Sequence, residues 1–64
     1  MYYVYILISE KDNKLYIGLT DNLERRINEH NSGYNFSTKS RKPFKLVFYE
    51  ALLTIEEAVE REKF

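Results

Sequence analysis

The 64-residue sequence contains no cysteine, only one proline and two glycines, and its ten acidic residues balance its ten basic residues. Without cysteine, the chain can form neither a disulfide bond nor a thiolate metal site. A net charge of zero argues against a protein that binds nucleic acid by overall electrostatic attraction alone. The longest apolar run, Val4 to Ile8, is far shorter than the ~20 residues that span a bilayer. These absences favour one soluble, cytoplasmic domain over residues 1–64.

Several common site motifs are missing as well. The sequence has no Gly-rich phosphate loop, no Cys/His metal cluster, no Cys-x-x-Cys pair and no Ser-His-Asp order. The sequence therefore excludes the site classes that these motifs define.

The first part of the chain predicts a hairpin. Tyr2 to Ile8 and Lys14 to Leu19 are rich in aromatic and branched residues, which is typical of strands. Between them, Asp12 and Asn13 belong to a four-residue turn, because both side chains bond to nearby backbone and tolerate a left-handed conformation. If this turn holds, Ser9 pairs with Lys14.

The remainder predicts two helices separated by a strand. Asp21 with Glu24 is close to a capping box at a helix start, and Thr54 with Glu57 forms a second capping box. Asn31-Ser32-Gly33 stops the first helix, and residues 33–43 have no periodicity and predict a loop. Phe44 to Ala51 predicts the third strand.

The expected fold is of the α/β class, α+β type: a three-stranded, mainly antiparallel sheet in the order β-β-α-β-α, flanked by helices. The second helix reaches Phe64 without a stop signal. We therefore expect residues 1–64 to be a C-terminally truncated piece of a longer single domain.

Strand alternation places Tyr3, Tyr5 and Leu7 on one face of the sheet, and the even-numbered residues, which form the better core, on the other. In the predicted register Tyr5 faces Gly18, and Tyr16 lies diagonally on the same face. Gly18 would leave a shallow hole that a backbone phosphate could approach. The alternative is that these aromatic residues only stabilise the hairpin.

The first helix places Leu23, Arg26, Ile27 and His30 on one stripe. The planar guanidinium of Arg26 suits a phosphate. His30 beside an apolar stripe is compatible with a functional group and also with a residue that is merely buried at the border.

The second helix carries an unexpected carboxylate. Ile55, Ala58 and Val59 define its apolar face, and Glu62 follows on the same face at helical spacing. Carboxylates are seldom buried without a cation or a hydrogen-bonding partner. A salt bridge to Arg26 and a divalent cation held by Glu62 and waters are both open at this point.

Positive charge concentrates in one segment. Residues 33–49 contain Lys39, Arg41, Lys42 and Lys45 without an acidic residue. This loop also contains the aromatic and hydroxyl residues Tyr34, Phe36, Ser37 and Thr38. Such a composition predicts a surface that follows phosphates, with Lys39, Arg41 and Lys42 in contact, or else a solvated loop.

In this order and spacing, the residues resemble the GIY-YIG nuclease superfamily. Tyr3-Val4-Tyr5 stands at the first motif, and Tyr16-Ile17-Gly18, after a gap of ten residues, is the second motif in full. Arg26 and His30 match the helix motif, and the segment ending at Glu62 is similar to the one that ends in the metal-binding glutamate. The likeness covers the whole chain and is strongest to the small stand-alone bacterial members, which are related to the N-terminal domain of an excision-repair nuclease.

Two departures accompany the resemblance. Tyr3 replaces the glycine of the first motif, and the residues that follow the glutamate in the family are missing. The second departure could make this fragment inactive.

The resemblance implies a DNA endonuclease, in a DNA repair setting, that hydrolyses a phosphodiester bond with one Mg²⁺ or Mn²⁺ ion and no small-molecule cofactor. Tyr5 would be the general base, Tyr16 would orient the water, and Arg26 would neutralise phosphoryl charge. His30 would bond to the nucleophile or a phosphate oxygen, and Glu62 would hold the metal. The substrate would be DNA, branched or damaged forms included. The alternative is a catalytically silent nucleic-acid-binding module of the same fold.

Overall fold

A computed structural model of the chain describes residues 1–33 and 38–63 and shows three strands and two helices in the order β-β-α-β-α. The strands form one antiparallel sheet, in which β1 lies between β2 and β3. The predicted α+β fold is therefore confirmed. The elements are β1 (Tyr2–Ser9), β2 (Leu15–Thr20), α1 (Leu23–Asn31), a 3-10 helix (Lys39–Arg41), β3 (Phe44–Leu52) and α2 (Ile55–Glu62).

The β1–β2 hairpin has the predicted register. The Ser9 amide donates to the Lys14 carbonyl at 2.9 Å, and Asn13 adopts the left-handed conformation with φ of 60°. Tyr5 pairs with Gly18. This pairing fixes which side chains of the two strands share a face.

The two helices lie on opposite faces of the sheet. We call the face of Tyr3, Tyr5 and Leu7 the tyrosine face, and the other, which carries Val4 and Ile6, the aliphatic face. His30 of α1 bonds to Tyr5 on the tyrosine face, whereas Glu62 of α2 lines a cavity with residues of the aliphatic face. The central strand is thus covered on both sides.

The expectation that the even-numbered residues form the better core is wrong. Tyr5, Leu7 and Ser9 of the tyrosine face are fully buried, whereas on the aliphatic face of β1 only Val4 is buried to a similar degree. The reason is coverage, because α1 and the 38–44 segment close over the tyrosine face. Ile17 on the aliphatic face of β2 stays 45% exposed.

A β-bulge changes the side-chain direction within β3. Ile6 pairs with Phe48 but Leu7 pairs with Leu46, so Val47 is the additional residue. Without this bulge, strict alternation would place Phe44 on the face opposite to Tyr49. With it, Phe44 pairs with Ser9 and is buried on the tyrosine face.

Helix α1 begins one residue later than the sequence suggested. Its N-cap is Asn22, whose side chain accepts a hydrogen bond from the Arg25 amide at 3.0 Å, and not Asp21. Asp21 instead forms a salt bridge with Arg25 at 3.2 Å. The predicted stop is confirmed, because Ser32 is the C-cap and Gly33 follows with a φ of 80°.

Helix α2 opens with the predicted capping box of Thr54 and Glu57 and ends at Glu62, with Lys63 as its C-cap. Of its expected apolar face only Ala58 is buried, while Ile55 and Val59 are each 39% exposed. Within the described residues, no helix is long and apolar enough to cross a membrane.

Candidate active site

Tyr5 is the centre of the candidate site. Its side chain is fully buried and lies directly over Gly18, where a Cβ would fall only 2.3 Å from the Tyr5 hydroxyl oxygen. The open hole expected over Gly18 is therefore filled by the protein's own tyrosine. Gly18 is buried and admits the Tyr5 ring, so the structure leaves no space there for a phosphate.

The Tyr5 hydroxyl contacts two side chains of α1. His30 Nε2 lies 3.1 Å from the Tyr5 oxygen, and Arg26 Nε donates to the same oxygen at 3.4 Å. The helical spacing of four residues places both groups on the face of α1 that meets the sheet. The predicted stripe of Arg26 and His30 is therefore confirmed.

Burial raises the pKa of Tyr5 above its ordinary value, and this effect outweighs the hydrogen bond from Arg26, which acts in the opposite direction. Electrostatic interactions with Tyr16 and Glu62 also act to raise this pKa. A free phenolate at Tyr5 is therefore disfavoured near neutral pH.

His30 is fully buried and bonded at both ring nitrogens. Its Nδ1 lies 2.7 Å from Oγ1 of Thr38, which is also fully buried. Burial and the nearby Arg26 charge lower the pKa of His30, with Glu29 acting weakly the other way. His30 is therefore neutral at physiological pH and carries one donor and one acceptor nitrogen.

An aromatic cluster surrounds the imidazole. The Tyr16 ring lies 6.3 Å from the Tyr5 ring and 4.8 Å from the His30 ring, between centroids, and the Phe44 ring lies 5.7 Å from the His30 ring. Tyr5 and Tyr16 thus share one face, as predicted. Since Tyr16 is half-buried, it is the member of the tyrosine pair that solvent reaches.

Arg26 connects this cluster to the surface. Besides Tyr5, its guanidinium contacts Glu29 at 3.1 Å, and its side chain is 31% exposed. Glu29 also lies 3.8 Å from the exposed guanidinium of Arg25. A guanidinium has five N–H donors, so Arg26 can hold Tyr5 and still offer N–H groups to an anion.

Glu62 is not in the same cavity as the other predicted residues. It lines an apolar cavity of about 260 Å³ on the aliphatic face with Val4, Ile6 and Ile17. The salt bridge to Arg26 that the sequence left open is not formed, because Arg26 pairs with Glu29. Glu62 is nevertheless near enough for its charge to act on Tyr5.

The basic segment, which we define as Lys39, Arg41 and Lys42, is partly held in place. Arg41 forms a salt bridge with Asp12 at 3.1 Å and lies over the Phe44 ring at 5.5 Å. Lys39 and Lys42 are exposed. The predicted loop contains a 3-10 helix here, and Tyr34, Phe36 and Ser37 lie outside the described residues.

Sequence reasoning missed two contributors to the site. Thr38 was expected on the surface of the basic loop, but it is fully buried and contacts His30. This contact had no signal in the sequence, because Thr38 stands eight residues from His30 in a segment without periodicity. Phe44 was predicted only as the start of a strand, and the bulge at Val47 that turns it toward His30 has no signature in a single sequence.

The chain is similar in sequence to one protein family and to several bacterial proteins. The family profile described as GIY-YIG catalytic domain matches residues 1–64. A UPF0213 protein of Clostridium perfringens is 49% identical over 63 residues, covering 97% of this chain and 67% of the relative. One of Staphylococcus haemolyticus is 47% identical over 62 residues, covering 95% and 74%. No solved structure matches the chain significantly.

Proposed function

The chain belongs to the GIY-YIG family, and from this premise we propose that it is a divalent-metal-dependent DNA endonuclease that hydrolyses a phosphodiester bond. The observation that carries the proposal is the set of hydrogen bonds by which the Tyr5 hydroxyl joins the partly exposed Arg26 to the buried His30. The residues Tyr5, Tyr16, Arg26 and His30, predicted from separate parts of the sequence, meet in this one cluster.

The proposed role of Tyr5 is that of a general base supported by His30. Because the pKa of Tyr5 is raised, a standing phenolate is a poor description of the base. Tyr5 instead takes a proton from the attacking water while it passes its own proton to Nε2 of the neutral His30, 3.1 Å away. The proton moves without a phenolate having to form beforehand.

Arg26 and Tyr16 act on the solvent side of this relay. The permanent charge of Arg26 stabilises negative charge that develops on the phosphoryl oxygens, and its Nε holds the Tyr5 oxygen in place. Tyr16 is half-buried beside Tyr5. It orients the attacking water or shares its proton.

The donor chemistry of Glu62 fits a hard divalent cation. Its carboxylate makes no salt bridge among residues 1–33 and 38–63, and Mg²⁺ is commonly held by one or two carboxylates while it keeps several waters. Glu62 would hold Mg²⁺ or Mn²⁺ by this single carboxylate. When bound, the ion supplies positive charge to the scissile phosphate and the leaving oxygen.

Substitution of Glu62 by Gln tests this proposal, because the amide keeps the shape and removes the charge. We expect Glu62→Gln to lose cleavage of nicked or branched DNA in Mg²⁺ or Mn²⁺ while its affinity for DNA stays within about twofold, since phosphate contacts supply most of the binding. Glu60→Gln is the matched control, since Glu60 is an exposed glutamate of the same helix.

If Glu62→Gln cleaves DNA as fast as Glu60→Gln and the wild-type protein, Glu62 has no role in cleavage and the metal role is contradicted. Tyr5→Phe provides an independent arm, because it removes only the oxygen that Arg26 and His30 contact. We expect this variant to bind DNA and not to cleave it.

The second candidate function is a catalytically silent nucleic-acid-binding module. The observation that favours it is the position of Glu62, which lines a cavity on the face opposite to the Tyr5 cluster. Binding of duplex DNA by the wild-type chain with no cleavage in Mg²⁺ or Mn²⁺ would support this function and contradict the endonuclease.

A further inference from the structure

Thr38 is a fully buried hydroxyl residue that lies outside the predicted set of site residues. Its Oγ1 is 2.7 Å from Nδ1 of His30, the shorter of the two contacts of that imidazole. Thr38 immediately precedes the 3-10 helix Lys39–Arg41 and is its N-cap residue. The residue that holds the far side of the imidazole thus immediately precedes the basic segment and does not belong to α1.

The hydrogen bonds around Tyr5 determine which atom donates and which accepts at each step from Arg26 through Tyr5 to His30. Arg26 can only donate, so the Tyr5 oxygen accepts from it. If His30 Nε2 also donated to that oxygen, the buried Tyr5 hydrogen would have no acceptor among the hydrogen bonds of the described residues. A buried donor without a partner loses its hydrogen bonds to water and gains none in return, so this arrangement is unfavourable. The favourable arrangement is therefore donation from Tyr5 to Nε2.

The same arrangement fixes the other ring nitrogen. A neutral imidazole has one N–H, so when Nε2 accepts from Tyr5 the proton resides on Nδ1. Nδ1 then donates to Thr38 Oγ1 at 2.7 Å. Every buried side-chain nitrogen and oxygen among the described residues, Thr38 Oγ1 included, has at least one hydrogen-bond partner.

We propose that Thr38 is a positioning residue that holds His30 in the Nδ1–H tautomer, so that Nε2 faces Tyr5 as the acceptor of its proton. This inference rests on the proposed nuclease function for its consequence in catalysis. The assignment of the tautomer itself depends only on the hydrogen-bond geometry.

The expected catalytic effect is intermediate in size. In the other tautomer Nε2 carries a hydrogen and cannot accept the Tyr5 proton, so cleavage requires the ring to change its protonation first. Partners of a catalytic or ligating imidazole typically account for about 10–100-fold in activity. We expect Thr38→Val, which keeps the side-chain volume and removes the hydroxyl, to lower kcat by this factor with little change in KM.

The tautomer is directly measurable because His30 is the only histidine in the chain. In a ¹⁵N spectrum of the wild-type protein above pH 7, we expect the proton on Nδ1 and a bare Nε2. Thr38→Ser retains the hydroxyl and should retain this spectrum and most of the cleavage. Thr38→Val should shift population toward Nε2–H.

The outcomes separate the two proposals. A wild-type spectrum with the proton on Nε2 overturns the assignment of Thr38 without any variant and whatever the nuclease assay shows. Unchanged tautomer and unchanged kcat in a folded Thr38→Val also overturn it. If the wild-type protein shows Nδ1–H but cleaves no DNA, the proposed function fails, while the role of Thr38 in fixing the tautomer stands.

Discussion

At the scale of single residues, Gly18 shows how one missing side chain creates room for a catalytic group. Any Cβ at this position would lie 2.3 Å from the Tyr5 hydroxyl oxygen and 2.4 Å from Cζ of the same ring. The ring is rigid and buried, so it cannot move aside without leaving His30 and Arg26. The glycine of the second motif is thus required by the tyrosine of the first.

We therefore predict that Gly18→Ala destabilises the protein by about 1–3 kcal/mol, the usual cost of overpacking a well-filled core. It should also abolish cleavage, because the Tyr5 oxygen is displaced from its partners. Urea unfolding and a nuclease assay measure the two effects.

A Tyr5→Leu background is the control for this steric explanation. Removal of the ring takes away the atoms that the new methyl group would meet, so Gly18→Ala should cost much less there. An equal cost in both backgrounds would show that backbone effects at Gly18, and not the contact with Tyr5, determine the loss of stability.

Among the elements, the basic segment contains one cation that is held by contacts within the protein and two cations that are exposed. Arg41 is bound on both sides by Asp12 and the Phe44 ring, and its Nη2 also donates to the Leu15 carbonyl at 3.4 Å. Lys39 and Lys42 are exposed. Arg41 thus connects the segment to the hairpin turn, whereas the two lysines are placed to meet phosphates.

We predict different consequences for these residues. Replacing Lys39 and Lys42 by Ala should lower the slope of log affinity for duplex DNA against log salt by about 2, since each phosphate contact contributes about 0.9. Thermal stability should hardly change, because exposed substitutions usually stay within about 0.5 kcal/mol. Affinity at several salt concentrations and a thermal melt are the measurements.

Arg41→Ala is the matched comparison from the same 3-10 helix. Loss of a half-buried ion pair and a cation–π contact should cost about 1–2 kcal/mol of stability. A salt slope unaffected by the lysine variant would show that the segment is only a solvated surface, and a stable Arg41→Ala would contradict its anchoring role.

For the molecule as a whole, His30 makes the stability depend on pH near neutrality. His30 has a lowered pKa in the folded protein, whereas the unfolded chain takes up a proton near the ordinary value of ~6.5. As pH falls below this value, the unfolded state gains the proton first and is stabilised relative to the fold. The loss of stability grows until the pH reaches the folded pKa of His30.

We accordingly predict that the free energy of unfolding falls between about pH 7.5 and pH 5.5, as measured by urea unfolding at each pH. His30→Asn should be less stable throughout but should lose this pH dependence. Asp12 also has a lowered pKa, but the stability that it contributes is lost only below about pH 4. A pH dependence that persists in His30→Asn would place the titrating group elsewhere.

The predictions from sequence succeeded where the determinants lie close together in the chain. The turn after Ser9 fixed the hairpin register, so Tyr5 was placed opposite Gly18 correctly. Helical spacing brought Arg26 and His30 together, and the capping box located the start of α2. Each of these features depends on residues within a few positions of one another, or on one turn that sets a register.

The order of elements, the hairpin register and the sets of side chains that share a strand face or a helix stripe thus follow from local sequence patterns. Three other features emerge only when distant segments pack together. The tyrosine face becomes the more deeply buried face, Thr38 contacts His30, and Glu62 lies on the opposite side of the sheet. The difference arises because the local backbone conformation sets the periodicity of side chains along each strand or helix. The packing of one strand face or helix stripe against another depends on apolar burial between segments far apart in the chain. A single sequence carries no local signal for this packing.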